Sequence, residues 1–362
     1  MPLIRKDIDS IDAYKPGKPI EEVRRELGLK SVIKLASNEN SLGSSPKALA
    51  AIRKTLGHLN RYPEGNCPEL RKQLAGALKI RENNLLMGNG SDELLDIILK
   101  AVKEPEAEIV TADITFIEYR ISALVNGFKV TQAPLKDFTY DLEAIAKCIT
   151  PKTKAVFIAN PNNPTGTYVT ARDVTAFLNR IPEEVLVVFD EAYLEFVEEK
   201  DFPDTLALLS KKNIVILRTF SKIYGLAGLR IGYMIAAEDF IEACQKIRQP
   251  FNVNSLAQAA ARAALTDKVF VRRSQALIHK EKKFLCDAFS ELGIWFKKSA
   301  ANFIFIKTQR DARELFAELL KKGVIIREMS QYGLNNYSRV TIGTRRENTL
   351  LIQSLRTLKG GF

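Results

Sequence analysis

The chain has 362 residues, a net charge of +11 and only two histidines, His58 and His279. Hydrophobic residues make up 46% of the chain and charged residues 27%, values that exclude a disordered or fibrous protein. Metal hydrolases and histidine-based catalytic triads need histidine at defined positions, and neither histidine lies in such a motif. If the chain is an enzyme, we expect its proton transfers to use lysine, aspartate, tyrosine or a cofactor.

Composition also indicates location and partners. No apolar run reaches the roughly 18 residues of a membrane span, and the acidic residues near the start do not fit a signal peptide, so a cytoplasmic location is expected. The surplus lysine and arginine residues are scattered among acidic ones, which is more typical of solvated helix faces than of a nucleic-acid-binding surface. The four cysteines form no CxxC pair, and reduced thiols are expected.

Apolar runs and helical patterns alternate between about residues 70 and 240. Helices are predicted over 91–102 and over 171–180, the second opened by Thr170 with Asp173 three residues later. Several of the intervening runs are apolar on both faces, as strands between two helix layers are. The pattern predicts an α/β fold with a mostly parallel sheet. The predicted strands span residues 108–113, 129–134, 155–160, 185–192, 214–220 and 230–236.

The pattern changes after Pro250. A long helical stretch over about 254–290 is followed by a strand, a helix, two strands and a final helix. We predict two domains, a large one over residues 31–250 and a smaller α+β domain formed by residues 1–30 and 251–362.

Three polar clusters follow three of the predicted strands, at residues 160–166 (NPNNPTG), 190–193 (DEAY) and 219–222 (TFSK). Alone, the first is an ordinary turn. The second suits the magnesium-binding strand of an ATPase, but no GxxxxGK[ST] motif occurs in the chain. Because open α/β sheets bind ligands outside the carboxyl ends of their strands, the three clusters together predict one crevice.

A fourth segment, GNGSD at residues 88–92, runs directly into a predicted helix. The free amide groups and the dipole of a helix N-terminus form an anion site. The segment is only superficially like the dinucleotide motif GxGxxG, because Glu93 stands where the third glycine should be.

The order and spacing of these clusters, together with SKIYGLAGLRIGY at residues 221–233, resemble the fold-type I, aspartate-aminotransferase-like enzymes that use pyridoxal 5'-phosphate (PLP). Within them, the chain is similar to the histidinol-phosphate aminotransferases. The resemblance extends from NEN at residues 38–40 to RVTIGTR at residues 339–345. It implies a large PLP-binding domain with a mostly parallel central sheet between helix layers, plus a smaller α+β domain.

The resemblance also implies roles for particular residues. Lys222 is implied as the Schiff-base lysine, Asp190 as the partner of the ring nitrogen, and Tyr193 as a third catalytic residue. Asn163 and Tyr193 would hydrogen-bond the ring hydroxyl oxygen. No metal is implied. The other implied cofactor residues are Phe116 on the ring face, Gly90, Ser91, Asp92, Thr219, Ser221 and Arg230 around the phosphate, and Tyr62 from the neighbouring subunit.

On the substrate side, the resemblance implies that Arg339 grips the anionic end of the substrate. Arg327, Asn302 and Tyr14 match further substrate positions. Because Tyr14 would reach across from the partner subunit, the implied active unit is a homodimer with shared active sites. Two residues depart from the family pattern. Ile114 replaces a common proline, and Glu118 adds a negative charge near the stacking phenylalanine.

The leading hypothesis is a transaminase that converts L-histidinol phosphate and 2-oxoglutarate to imidazole-acetol phosphate and L-glutamate in L-histidine biosynthesis. The alternative is a phenylalanine or tyrosine transaminase of the same family. A threonine-phosphate decarboxylase and a basic nucleic-acid-binding protein are more remote alternatives.

Overall fold

The computed structural model describes residues 3–11, 13, 17–211 and 213–358. Its α-helices are α1 (Ile20–Leu27), α2 (Pro46–Thr55), α3 (Pro68–Leu78), α4 (Gly90–Ala101), α5 (Glu118–Val125), α6 (Leu142–Lys147), α7 (Ala171–Leu178), α8 (Glu238–Ile247), α9 (Ser255–Leu265), α10 (Lys268–Glu291), α11 (Ala312–Lys321) and α12 (Arg345–Arg356). Short 3-10 turns span Lys6–Ser10, Leu56–His58, Glu82–Asn84, Leu194–Phe196, Thr205–Leu208, Ala227–Leu229 and Ser330–Tyr332.

The strands are β1 (Ile33–Lys34), β2 (Leu85–Gly88), β3 (Glu108–Ala112), β4 (Lys129–Ala133), β5 (Thr153–Ala159), β6 (Leu186–Asp190), β7 (Ile214–Thr219), β8 (Gly232–Ile235), β9 (Trp295–Lys297), β10 (Phe303–Lys307), β11 (Val324–Ile325), β12 (Arg327–Met329) and β13 (Leu334–Thr341). None of the helices in the described part combines the length and the apolar character that crossing a membrane requires.

A seven-stranded sheet forms the centre of the fold, in the order β2-β8-β7-β6-β5-β3-β4. Its neighbouring strands are parallel except at β8, which is antiparallel to both β2 and β7. A parallel return needs a long crossover, whereas residues 220–231 contain only the turn Ala227–Leu229, so the chain reverses direction between β7 and β8. The predicted α/β class and mostly parallel sheet are confirmed.

The predicted strands of this sheet form because their side chains are apolar on both faces. All residues of β6 and β7 are buried, and helices cover the sheet. The predicted helices also form, and α7 opens with the capping box of Thr170 and Asp173. Strand β2 was not predicted, since the four residues Leu85–Gly88 are too short a run to separate from the helix that follows. All four cysteines are free thiols.

The region after Pro250 differs from the prediction at two points. The long helical stretch is divided into α9 and α10, because Asp267 begins α10 by accepting a hydrogen bond from the Phe270 amide at 3.2 Å and is itself held by the Ser45 hydroxyl at 2.7 Å. The first of the two consecutive strands predicted in this region, over residues 324–328 (VIIRE), is divided in the structure. Its first part is β11, which pairs with β1, and its last part belongs to β12, which joins an antiparallel sheet of order β12-β13-β10-β9. The domain boundaries near residues 30 and 250 stay a prediction.

The loop between β7 and β8 is held in place by a close backbone approach. Gly225 has φ +68°, and a Cβ atom on it would lie 2.1 Å from the carbonyl oxygen of Gly43. Only glycine fits both the backbone conformation and the space. The loop can therefore lie directly against the segment that contains Gly43.

We expect Gly225→Ala to lower the free energy of unfolding by about 2 kcal/mol or more, because the new methyl group meets a backbone oxygen in a left-handed conformation. Gly228→Ala is the matched control: this glycine of the same loop has no atom within 4 Å of its Cβ position and no positive φ. Urea unfolding of both variants checks the prediction. Equal losses in the two variants would contradict it.

Candidate active site

A solvent-open cavity of about 1160 Å³ lies where β5, β6 and β7 end. Residues from both sheets line it, so the main and the smaller sheet share one crevice. The position is the one predicted for an open α/β sheet. Twelve of the predicted site residues line the cavity: Ser91, Asp92, Phe116, Asn163, Asp190, Tyr193, Thr219, Ser221, Lys222, Arg230, Arg327 and Arg339.

Asp190 is the buried carboxylate of this cavity. It is the last residue of β6 and is only 6% exposed. The Tyr119 hydroxyl donates to its Oδ2 at 2.7 Å, and the Ala192 amide donates to its Oδ1 at 3.1 Å. Burial raises the pKa of Asp190 to about 6, while the two hydrogen bonds act in the opposite direction. The site therefore holds a buried carboxylate whose ionised form a positively charged partner would stabilise.

Lys222 lies on the loop that follows β7. Its Nζ donates to the carbonyl oxygen of Ser37 at 3.3 Å and lies 5.6 Å from the centroid of the Tyr193 ring. The Tyr193 hydroxyl in turn accepts a hydrogen bond from Asn38 Nδ2 at 2.9 Å. The amine thus lies inside the cavity, beside a phenol whose own proton remains available to donate.

One end of the cavity is built to hold an anion. Helix α4 begins there with Gly90, and the hydroxyl-bearing residues Ser91, Thr219 and Ser221 line the cavity. Arg230 donates to Asp92 Oδ2 at 2.9 Å, and a Cβ atom on Gly90 would lie 2.5 Å from its guanidinium. Glycine at position 90 therefore lets the arginine lie against the helix N-terminus, where free amides and a positive dipole favour negative charge.

Two arginines from the smaller sheet form the opposite end. Arg339 on β13 is nearly buried and donates to Asn163 Oδ1 and to the carbonyl oxygen of Ala36. Arg327 on β12 is its direct cross-strand partner and donates to Gln331 Oε1 at 3.0 Å. Like charges opposite each other on neighbouring strands are destabilising unless an anion lies between them. This end of the cavity suits an anionic substrate group.

The remaining predicted residues lie elsewhere. Gly90 adjoins the cavity wall without lining it. Asn302 is fully buried behind the wall, where its Nδ2 donates to the Asn38 carbonyl oxygen at 3.1 Å. Tyr62 is 84% exposed and stacks on Phe251 with ring centroids 4.8 Å apart. Tyr14 lies outside the described residues.

Two residues of the site were missed from the sequence. Tyr119 binds Asp190, and Asn38 binds Tyr193, yet neither received a role. The signal for Tyr119 was its spacing, three residues after Phe116, which puts both side chains near one face of a helical turn. Asn38 has φ 55°, a conformation that asparagine tolerates, but nothing in the sequence indicated its partner.

The two departures from the family pattern also have places in the structure. The carbonyl oxygen of Ile114 accepts a hydrogen bond from Asn162 Nδ2 at 3.0 Å, so the backbone there is held without proline. Glu118 is the first residue of α5, and burial together with the Asp92 charge raises its pKa. Glu118 does not line the cavity.

Taken together, the site combines a buried carboxylate, an amine and an anion-binding end at the carboxyl edge of an α/β sheet. This arrangement defines an α/β enzyme that holds an anionic cofactor between an aspartate and a lysine.

Comparison with known proteins identifies the family. The model of the aminotransferase class I and II family matches residues 30–355. The chain is 48% identical to the histidinol-phosphate aminotransferase of Moorella thermoacetica, over 99% of this chain and 93% of that protein. It is 45% identical to the one of Brevibacillus brevis, over 96% of both chains. The chain belongs to the aminotransferase class I and II family.

A solved structure shares the fold over almost the whole chain. The crystal structure of histidinol-phosphate aminotransferase from Sinorhizobium meliloti in complex with pyridoxal-5'-phosphate matches with a TM-score of 0.89 and 30% sequence identity, covering 98% of this chain and 96% of that one. An aspartate aminotransferase structure from Thermus thermophilus shares the fold as well, with a TM-score of 0.83 and 20% identity over 98% of this chain and 100% of that one, so the predicted aspartate-aminotransferase-like architecture is confirmed.

We expect Tyr119→Phe to cost more stability at about pH 8 than at about pH 4.5. The pKa of Asp190 is raised, so the folded protein holds this proton more tightly than the unfolded chain, and stability falls as pH rises from about 4 to about 6. Removing the Tyr119 hydroxyl raises that pKa further and deepens the fall by about 1–2 kcal/mol. Urea unfolding at both pH values measures the difference.

Tyr140→Phe serves as the control. Tyr140 is also buried, but its hydroxyl donates to Thr115 Oγ1 at 2.7 Å and not to a carboxylate. Tyr140→Phe should therefore lower the free energy of unfolding by the same amount at both pH values. A loss in Tyr119→Phe that does not change with pH would show that the hydroxyl does not stabilise the ionised Asp190.

Proposed function

We propose that this aminotransferase uses PLP to convert L-histidinol phosphate and 2-oxoglutarate to imidazole-acetol phosphate and L-glutamate, a step of L-histidine biosynthesis. The observation that carries the proposal is the meeting of Asp190, Lys222 and Arg230 in one cavity with paired arginines at its far end. The names of the relatives at 45–48% identity support the same substrate.

The described residues fit PLP. Asp190 is a buried carboxylate with a raised pKa, and a protonated pyridine nitrogen beside it would stabilise its ionised form. Arg230, the start of α4 and the nearby hydroxyls suit a phosphate group. Phe116 lines the cavity and stands edge-on to Tyr119, with ring centroids 5.5 Å apart. When bound, PLP supplies an electron-withdrawing ring that acidifies the α-carbon of an attached amine.

We assign the following roles to the residues of the cavity. Lys222 Nζ binds the cofactor and afterwards carries the proton that the substrate α-carbon loses. Asp190, held by Tyr119, keeps the ring nitrogen protonated. Tyr193 and Asn163 would donate to the ring hydroxyl oxygen. The Tyr193 proton is available for this because the Tyr193 oxygen already accepts a hydrogen bond from Asn38.

The far end of the cavity favours a phosphorylated substrate. A phosphate monoester carries between one and two negative charges near neutral pH and accepts several hydrogen bonds. Arg339 and the facing Arg327 supply two guanidinium groups. Two positive charges suit the charge of a phosphate monoester better than they suit the single charge of a carboxylate. We propose that Asn302 acts indirectly, by holding Asn38.

We further propose a cytoplasmic homodimer in which Tyr62 completes the partner's site. Tyr62 and Phe251 form an exposed aromatic pair, the kind of surface that protein interfaces use. Arg248 and Asn252 connect this pair to α4: Arg248 donates to Asn252 Oδ1 at 2.9 Å, and Asn252 donates to Glu93 at 2.6 Å. The aromatic pair therefore lies beside the helix whose N-terminus faces the cavity. We propose that Tyr14 reaches the partner's substrate in the same way.

The function is tested by comparing kcat/KM for L-histidinol phosphate and for phenylalanine with 2-oxoglutarate as acceptor. We expect a preference for histidinol phosphate of about 100-fold or more, because two arginines face its phosphate and the phenylalanine carboxylate carries only one charge. A preference for phenylalanine would favour the aromatic-amino-acid transaminase instead.

Lys222→Ala tests whether the protein is a PLP enzyme that uses this lysine. The purified parent should be yellow, and borohydride should fix the cofactor on Lys222, whereas the variant should lose turnover. A colourless parent that takes up no added PLP, or unchanged turnover in the variant, would contradict the assignment of the enzyme class.

Shared active sites predict complementation between two impaired variants. Lys222→Ala and Tyr62→Ala should each have low activity alone, and mixing them under subunit exchange should restore activity. The mixed dimer then has one site with an intact lysine from one chain and an intact tyrosine from the other. If Tyr62 served its own chain, every site of the mixed dimer would lack one of the two residues, and no activity would return.

A further inference from the structure

A second cavity, of about 690 Å³ including its opening to solvent, lies next to the one described above. The two cavities share the wall residues Phe116, Ile117, Gln331 and Tyr332. Gln331 accepts the hydrogen bond from Arg327, so the substrate end of the first cavity adjoins the second. A ligand held at the paired arginines therefore has space to extend past Phe116.

Arg120 on α5 lines the second cavity and is partly buried there. Within residues 3–11, 13, 17–211 and 213–358, it makes no hydrogen bond and no ion pair. The other arginines near the crevice have protein partners: Arg230 binds Asp92, and Arg218 binds Glu191. A guanidinium has five N–H donors, and one that is partly removed from water is stabilised by an anion.

The other polar groups of this cavity have partners of their own. The Thr115 hydroxyl donates to Asn162 Oδ1 at 2.8 Å, and Gln132 donates to the Ala112 carbonyl oxygen at 3.4 Å. Asp113 is exposed, and its Oδ1 accepts the amides of Ile114 and Leu135 at 2.8 and 3.2 Å. Arg120 is therefore the positive charge in this cavity that remains available to a ligand.

The proposed reaction needs such a group. One site must bind histidinol phosphate in the first half-reaction and 2-oxoglutarate in the second. Each has an anionic group near its reacting carbon, for which the first cavity has Arg339 and Arg327. The oxo acid has a second carboxylate, at the far end of its chain, and burying that charge without a cation is costly.

We propose that the second cavity is the subsite for the remote carboxylate of 2-oxoglutarate and glutamate, and that Arg120 binds this carboxylate. The inference rests on the proposed function, because it takes the acceptor to be a dicarboxylate. Bidentate pairing with a carboxylate is the interaction that the planar guanidinium favours. Histidinol phosphate lacks this carboxylate, so Arg120 serves one of the two half-reactions.

Equilibrium binding to the PLP-loaded enzyme tests the subsite without turnover. Glutarate has both carboxylates of the oxo acid but no reacting carbonyl, and butyrate lacks the remote carboxylate. Isothermal titration with each probe should show that Arg120→Gln raises the Kd for glutarate about tenfold or more, as loss of a charged hydrogen-bond partner does, and leaves the Kd for butyrate unchanged. Arg120→Lys should recover part of the glutarate affinity, because it keeps the charge.

Arg172→Gln is the matched control, since Arg172 is an exposed arginine on α7 and lines neither cavity. It should bind both probes as the parent does. Unchanged glutarate affinity in Arg120→Gln would overturn the proposal. Equal weakening of glutarate and butyrate would also overturn it, because it would place the effect in the first cavity.

The outcomes separate this subsite from the proposed function. An enzyme that prefers histidinol phosphate but binds glutarate normally in Arg120→Gln keeps the proposed function and loses the subsite. An enzyme that prefers phenylalanine but loses glutarate selectivity in Arg120→Gln keeps the subsite and changes the amino donor.

Discussion

The burial of one carboxylate is the constraint on which the site depends. Asp190 ends a strand whose other residues are apolar, and removal from water raises its pKa to about 6. The fold limits the cost with two donors, the Tyr119 hydroxyl and the Ala192 amide, and leaves the rest of the carboxylate facing the cavity. A cationic ring nitrogen would complete this arrangement, so the unfavourable burial in the free protein becomes affinity for the cofactor.

The loop between β7 and β8 places the other two charged groups relative to that carboxylate. Because residues 220–231 lack a crossover helix, the chain reverses direction, and Lys222 and Arg230 remain near the same sheet edge. Gly225 allows the loop to lie against the Gly43 backbone, and Gly90 leaves room for the Arg230 guanidinium. Two glycines thus permit the close approaches that hold this loop and the Arg230 guanidinium in place.

The smaller sheet contributes the paired arginines of the cavity, which we propose as its substrate end, and is connected to the large sheet through polar contacts. Arg339 donates to Asn163, and Asn38 joins Tyr193 to Thr341 through hydrogen bonds of 2.9 and 3.0 Å. These groups belong to segments far apart in the chain. The substrate end therefore forms only when both sheets are folded and in contact, and a substrate that binds across them stabilises that contact.

The sequence by itself determined the α/β class and the three clusters at the strand ends, because periodicity and turn chemistry are local properties. Its resemblance to the aminotransferases indicated twelve of the residues that line the cavity. Tertiary structure decided the antiparallel β8, the break before α10, the division of residues 324–328 between two sheets, and the partners Tyr119 and Asn38. It also decided that Asn302 lies behind the cavity wall and that Arg120 faces a second cavity. These features depend on which distant segments meet in space, and local patterns do not contain that information.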